Sequence, residues 1–175
     1  MMRLPTAFLL GLALLAVPVQ AEPPAQPTPA PAAAPQDPTA ANKALVSRYL
    51  KDVLSAGHLE LLDQLLAPDF VDSTPGAPQD VKGPEVIRRS QARAHQLFPE
   101  IVYTIEDLIA EGDKVVARYT VRARAQSTDT PGKSVEVTGI TIFRIADGRI
   151  REAWIINDQI ELFQQLGYTL QPPQS

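Results

Sequence analysis

The feature that most restricts what this chain can fold into is a change of hydrophobic period near residue 98. Before it, apolar side chains recur at helical spacing; after it, they alternate with a period of two. Leu45, Val46, Tyr49, Leu50, Val53 and Leu54 share one face of a helix that starts near Thr39 or Asn42 and stops at Gly57. Leu59, Leu62, Leu65 and Leu66 predict a second short helix ended by Pro68, and residues 70–75 read as an extended segment and turn. Gly83-Pro84 opens a third helix with proline in its first turn. Val86, Ile87 and Ala94 face inward along it, and Phe98-Pro99 closes it.

Residues 101–110 then predict a strand and residues 111–113 a turn. In the next strand Val115, Ala117, Tyr119, Val121, Ala123 and Ala125 fall on one face, with Arg118, Thr120, Arg122 and Arg124 on the other. A polar loop (residues 127–133) leads to a strand over 135–146. Asp147-Gly148 signals a tight hairpin into a last strand over 149–158. A short helix over 160–166 stops at Gly167. Helices precede antiparallel strands, with no strand–helix–strand alternation. This order predicts an α+β domain in which helices cover one face of a curved antiparallel sheet. Such a cone has an interior suited to a small molecule.

The flanks carry separate signals. Residues 1–21 fit an export signal: Arg3 at the start, an apolar run from Phe8 to Val17, then Pro18 and Val19-Gln20-Ala21, with cleavage expected after Ala21. That run is half the ~20 residues needed to cross a bilayer, so no membrane span is expected after cleavage. Residues 22–39 are rich in Pro and Ala and predict an extended tether. The folded domain is expected over residues 40–170, followed by a short tail (171–175), in a periplasmic or secreted product.

Composition excludes several classes. The chain has no cysteine, which removes disulfides, thiolate zinc sites, cysteine nucleophiles and a lipid-anchor cysteine. His58 and His95 are too few for a histidine-rich metal site, and no glycine-rich phosphate loop is present, so neither metal nor cofactor is expected. Without Arg3 the charge stands at 15 basic against 20 acidic residues. A nucleic-acid partner would demand a net basic surface.

Several segments together resemble a known family: ALVSRYLKDVLSAGHLELLDQLLAPDFVD, FPEIVYTIEDLIAEGDKVVARYTV, TGITIFRIADGRIREAW, and then Asp158 with QQLG. In order, they resemble the SnoaL-like polyketide cyclases and the broader ester cyclase group, within the nuclear transport factor 2-like superfamily. The resemblance covers essentially residues 42–167. It implies a cone-shaped α+β barrel, often a homodimer, with a deep pocket. It also implies cofactor-free lyase or isomerase chemistry, in which a pocket aspartate serves as acid and base in an intramolecular aldol closure. The matching position is Asp158. Family members commonly carry histidines where this chain has Ser73 and, near residue 125, Ala125.

The residues themselves leave two readings of that aspartate. With unbroken alternation, Ile150, Glu152, Trp154, Ile156 and Asp158 share a face of the last strand. Asp158 then either projects into a pocket beside Trp154, as a catalytic proton shuttle, or caps the helix that follows. Trp154, Tyr119, Tyr103 and Phe70 are the candidate substrate-binding residues, and Asp72 or a tyrosine hydroxyl the candidate oxyanion partner. Glu152 is expected in a cross-strand ion pair, and Arg118, Arg122 and Arg124 on a solvated or dimer-facing surface. His95, near a helix end, is expected to be structural. Two functions stay open. One is a pocket enzyme acting on a small, largely apolar carbonyl compound. The other is a non-catalytic periplasmic binding module on the same fold. A third reading is a dimerising domain with a filled interior.

Overall fold

The computed structural model describes residues 38–77, 81–126, 131–169 and 171. The expected export signal, nearly all of the tether and most of the tail lie outside the described residues. The described residues fall in one compact unit, Gln36–Ser175. No helix among them is long and apolar enough to cross a membrane.

The first half folds as its helical period dictates, with two differences. Helix α1 (Thr39–Arg48) runs into a π-helical segment, Tyr49–Ser55, which keeps Tyr49, Leu50, Val53 and Leu54 buried. The second helix is shorter than its leucines suggest: a 3-10 turn (Leu59–Leu61) and α2 (Leu62–Leu65) give way to strand β1 (Leu66–Asp72). Pro68 therefore lies within a strand. It is tolerated because β1 is at the edge of the sheet, where a missing N–H need not break an inner ladder. Helix α3 (Pro84–Leu97) begins behind Gly83, whose φ is +73°. A side chain there would put a Cβ 2.4 Å from the Pro68 carbonyl oxygen, so glycine is what lets α3 approach β1.

Strands β2 (Glu100–Glu111), β3 (Lys114–Arg124), β4 (Ser134–Ala146) and β5 (Arg149–Asn157) follow, and α4 (Gln159–Leu166) ends the fold. The sheet order is β1-β5-β4-β3-β2. The α+β class holds, with helices on a strongly paired sheet. The sheet is mixed rather than wholly antiparallel, because β1 runs parallel to β5. It is also open rather than closed into a barrel, with β1 and β2 at its two edges.

The core lies between the helices and the inner sheet face. Leu50, Val53, Leu62, Leu65, Leu66, Phe70, Val115, Phe143 and Ile150 are all almost fully buried there. Each large side chain of this kind contributes ~1.5–3 kcal/mol by leaving water. Tyr49 meets Phe143 edge-on, with ring centres 5.8 Å apart. Phe70 belongs to this packing, which corrects its expected place as a pocket wall.

One irregularity decides the geometry of the last strand. Ile145 pairs with Ile150, and Arg144 pairs with Glu152, so Arg151 is an extra residue in β5. This β-bulge reverses the side-chain parity beyond it. Ile150 faces the core, but Ala153, Ile155 and Asn157 take the inner face thereafter. Their partners Phe143, Thr141 and Gly139 stand on the same face of β4. Glu152, Trp154 and Ile156 turn outward.

Candidate functional site

A cavity of about 410 Å³ lies between the helices and the inner sheet face. The π-helical segment contributes Tyr49, Leu50 and Leu54, and α3 contributes Ile87, Ser90 and Gln91. The last residue of β1, Asp72, and the segment after it, residues 74–77, also line it. From the sheet come Tyr103, Tyr119, Thr141, Phe143, Ala153, Ile155 and Asn157. Thr141, Ala153, Ile155 and Asn157 are there because of strand alternation and the β5 bulge.

The polar groups are held in place by short bonds. The Asp72 carboxylate accepts the Thr74 N–H at 2.9 Å, and the Thr74 hydroxyl oxygen accepts the Ile155 N–H at 3.1 Å. These bonds stitch the end of β1 to β5 and fix Asp72 at the cavity wall. The Ser55 hydroxyl donates to the Leu50 carbonyl at 3.0 Å and accepts the Tyr103 N–H at 2.9 Å, tying the π-helical segment to β2. Tyr103 and Tyr119 stack at a tilt, with ring centres 5.3 Å apart. The Tyr119 hydroxyl lies 2.9 Å from the Thr141 hydroxyl and donates to Asn157 Oδ1 at 3.1 Å.

Burial sets the protonation of these phenols. Desolvation pushes Tyr49 well above the ordinary phenol value, and the neighbouring Tyr103, Tyr119 and Asp72 charges add to it. Tyr103 is raised by burial and then by Tyr119. Tyr119 is raised by burial, against a smaller opposing effect of its bond to Thr141. All three therefore stay neutral near pH 7, with a hydroxyl hydrogen that can be given to a hydrogen bond. Asp72 is the one carboxylate among the cavity's described lining residues. The arrangement pairs one carboxylate with phenol and amide donors around an apolar floor. This is the set needed to take a proton beside a carbonyl and to stabilise the oxyanion that results.

Tyr103 and Tyr119 line the cavity as the sequence predicts. Trp154 does not. The bulge turns it to the opposite face of the sheet, where it joins Ile109, Val116 and Ile142 around an open groove of about 650 Å³. Asp158 does not line this cavity either. It is exposed, and its carboxylate accepts the Glu161 N–H at 2.9 Å as the N-cap of α4. Of its two readings, the structure places it in the capping one, and Asn157 takes the inner-facing position. Asn157 was missed because parity was counted through a bulge that no residue type announces; Gln91 on α3 and Thr141 on β4 are polar residues on inner faces, which residue type alone does not mark.

Other expectations resolve outside the cavity. Glu152 pairs with Arg144 at 2.9 Å and accepts the Ser73 hydroxyl at 2.6 Å. Ser73, at one of the family's histidine positions, thus faces a surface ion pair. Ala125, at the other, is buried just past the end of β3. Arg118 pairs with Asp107 and Arg122 with Glu136 on the exposed face. His95 does not line the cavity. Among the described residues, no cluster of three His, Asp or Glu side chains could hold a metal ion.

The comparisons with known proteins agree with this architecture. A family model described as SnoaL-like polyketide cyclase matches residues 44–166. TsrD from Streptomyces laurentii is similar in structure with 30% sequence identity and a TM-score of 0.64, over 73% of this chain and 96% of its own. IdmH from Streptomyces antibioticus, provisionally assigned as a polyketide cyclase, shares 28% identity over 73% of this chain and 99% of its own, with a TM-score of 0.65. A Bacillus cereus protein with the same provisional assignment shares 29% identity over 73% of this chain and 80% of its own, with a TM-score of 0.63. No curated protein matches the chain.

Proposed function

The chain belongs to the SnoaL-like polyketide cyclase family, and from that premise we propose that it is an exported pocket protein performing cofactor-free acid–base chemistry on a small, largely apolar carbonyl compound. The observation that carries this reading is the placing of the Asp72 carboxylate in one cavity with the neutral phenols of Tyr49, Tyr103 and Tyr119 and the Asn157 amide.

In this mechanism the Asp72 carboxylate takes a proton from the carbon beside the carbonyl. The electron pair moves onto the carbonyl oxygen. A phenol O–H, or the Asn157 side-chain N–H group, holds the resulting oxyanion. The enolate carbon then attacks a second carbonyl in the same molecule, whose oxygen takes the proton back from the Asp72 carboxyl group, or the molecule is itself reprotonated at another position by that group. The first course is a cyclisation and the second an isomerisation. Apolar walls from Leu50, Leu54, Ile87 and Ile155 keep water from the oxyanion.

A second reading, a binding module without turnover, is favoured by one observation. The inner-facing position at the end of β5 is an amide, Asn157, and the neighbouring acid, Asp158, is committed to capping α4. We further propose export with cleavage after Ala21, supported by Arg3 and the Phe8–Val17 run. We also propose a homodimer, supported by the outward exposure of Ile109, Ile142 and Ile156.

The site is tested by titrating 2-acetylnaphthalene, an apolar ketone, into the labelled protein and reading intermolecular proton contacts by NMR. Contacts to Tyr103, Tyr119 and Ile155 are expected. Contacts confined to Trp154 and Ile142 would move the site to the outer groove.

A further inference from the structure

Tyr49, Tyr103 and Tyr119 line the inner cavity, and the fold uses the hydroxyl group of Tyr119 alone. That hydroxyl lies 2.9 Å from the Thr141 hydroxyl and donates to Asn157 Oδ1 at 3.1 Å. The Tyr49 and Tyr103 hydroxyls have no hydrogen-bond partner among the described residues. They are not sealed off either: the fully enclosed side-chain atoms without a partner, among the described residues, are Gln91 Oε1 and His95 Nε2. Both hydroxyls therefore keep some accessible surface, although Tyr49 as a whole is only 4% exposed. The space open to them is the cavity that both side chains line. A phenol in a buried setting usually finds a partner for its O–H group. Two that lack one, at a single cavity, mark the place of an acceptor from outside the protein.

Burial raises both phenols above their ordinary value, so each keeps its hydrogen and offers it. The ligand atom that suits them is an acceptor, and one carbonyl oxygen has lone pairs for both. The two side chains come from different walls of the cavity. Tyr49 opens the π-helical segment and Tyr103 lies in β2. Ser55 ties these walls together, donating to the Leu50 carbonyl and accepting the Tyr103 N–H. Tyr49 also lies near enough to Asp72 to feel its charge, so the carboxylate and the two donors belong to one site.

We propose that Tyr49 and Tyr103 are the two oxyanion donors of this site, with both O–H groups closing on the reacting carbonyl oxygen while Tyr119 stays committed to Thr141 and Asn157. This rests on the acid–base reading above and assigns the oxyanion role which that reading leaves open. No proton leaves either phenol. The pair stabilises the charge that reaches the carbonyl oxygen as Asp72 takes the proton from the adjacent carbon.

The test uses 2-acetylnaphthalene labelled with carbon-13 at its carbonyl, bound to the full chain. Hydrogen bonds to the oxygen move that resonance downfield of its position in hexane. The wild-type protein is expected to show this shift, Tyr49→Phe and Tyr103→Phe each to lose part of it, and Tyr119→Phe to keep it. Each of the first two variants should slow hydrogen–deuterium exchange beside the carbonyl about a hundredfold, with affinity changed far less. Their melting temperatures should equal or exceed that of wild type, since no protein bond is lost, whereas that of Tyr119→Phe should fall. A bound ketone without the downfield shift, or a shift and exchange rate unchanged in Tyr49→Phe or Tyr103→Phe, would overturn the proposal and leave the cavity as the binding site. A markedly lower melting temperature in either variant would also overturn it, by giving that hydroxyl a structural role. If the wild-type protein fails to bind the ketone or to speed its exchange, the acid–base reading itself fails and the proposal falls with it.

Discussion

Tyr119 donates its hydroxyl proton to Asn157 Oδ1 at 3.1 Å, across the bare backbone of Gly139. A Cβ at residue 139 would lie 2.1 Å from that oxygen and 2.6 Å from the Tyr119 ring. Gly139→Ala is therefore expected to separate the two residues and cost ~1–3 kcal/mol in denaturant unfolding. Affinity for 2-acetylnaphthalene should fall with it. Tyr119→Phe should cost ~1 kcal/mol, because Thr141 and Asn157 each lose a bond.

Asp158 gives a sharper contrast. As the N-cap of α4 it should contribute ~1 kcal/mol to stability, and Asp158→Ala should lose that amount. Ketone binding should stay within twofold of wild type, since the carboxylate does not line the cavity. Thermal unfolding and a binding titration on the same variant check both statements.

The sequence showed the order of elements, the period switch and the inner face of β3. These follow from local pattern: Val115, Ala117 and Tyr119 alternate without interruption. It also showed that Tyr103 and Tyr119 belong at the pocket. The misplacing of Trp154 has a single cause, and Asp158 shares it in part. Counting by twos from Ile150 passes through Arg151, the extra residue at the β5 bulge, and every side chain beyond it changes face. At that point the register of β5 shifts against both β4 and β1. That is a tertiary constraint, written in no short window of sequence. Pro68 misled for the opposite reason: a strong local stop signal was overridden by its edge position.

Glu152 links stability to pH. Its bond from Ser73 is the largest effect holding it below the ordinary value of 4.5; desolvation opposes this, and the bond and ion pair with Arg144 add to the lowering. A carboxyl group lowered on folding stabilises the protein above its unfolded value. That contribution fades as pH falls below about 4.5 and through the folded value. Glu152→Gln should thus lose ~1–2 kcal/mol at pH 7, and the difference from wild type should shrink as pH falls below about 4.5. Ser73→Ala should show the same trend with smaller size. Unfolding free energies at four or five pH values test it.

On the outer face, Ile156 is 74% exposed and Ile109 65% exposed. If these side chains form the interface of the proposed homodimer, Ile156→Glu combined with Ile142→Glu should halve the sedimentation mass without lowering ketone affinity. A wild-type protein that sediments as a monomer at all concentrations would remove the dimer from the account.

The central claim is that Asp72 is the working acid–base group of the inner cavity. It is tested most directly by hydrogen–deuterium exchange at the methyl group beside the carbonyl of 2-acetylnaphthalene, followed by NMR in heavy water at pH 7. The account predicts exchange faster than in buffer with wild type and with Asp158→Asn, and exchange at the buffer rate with Asp72→Asn. Exchange that persists in Asp72→Asn but disappears in Asp158→Asn would contradict it, and no acceleration by the wild-type protein would leave the cavity a binding site alone.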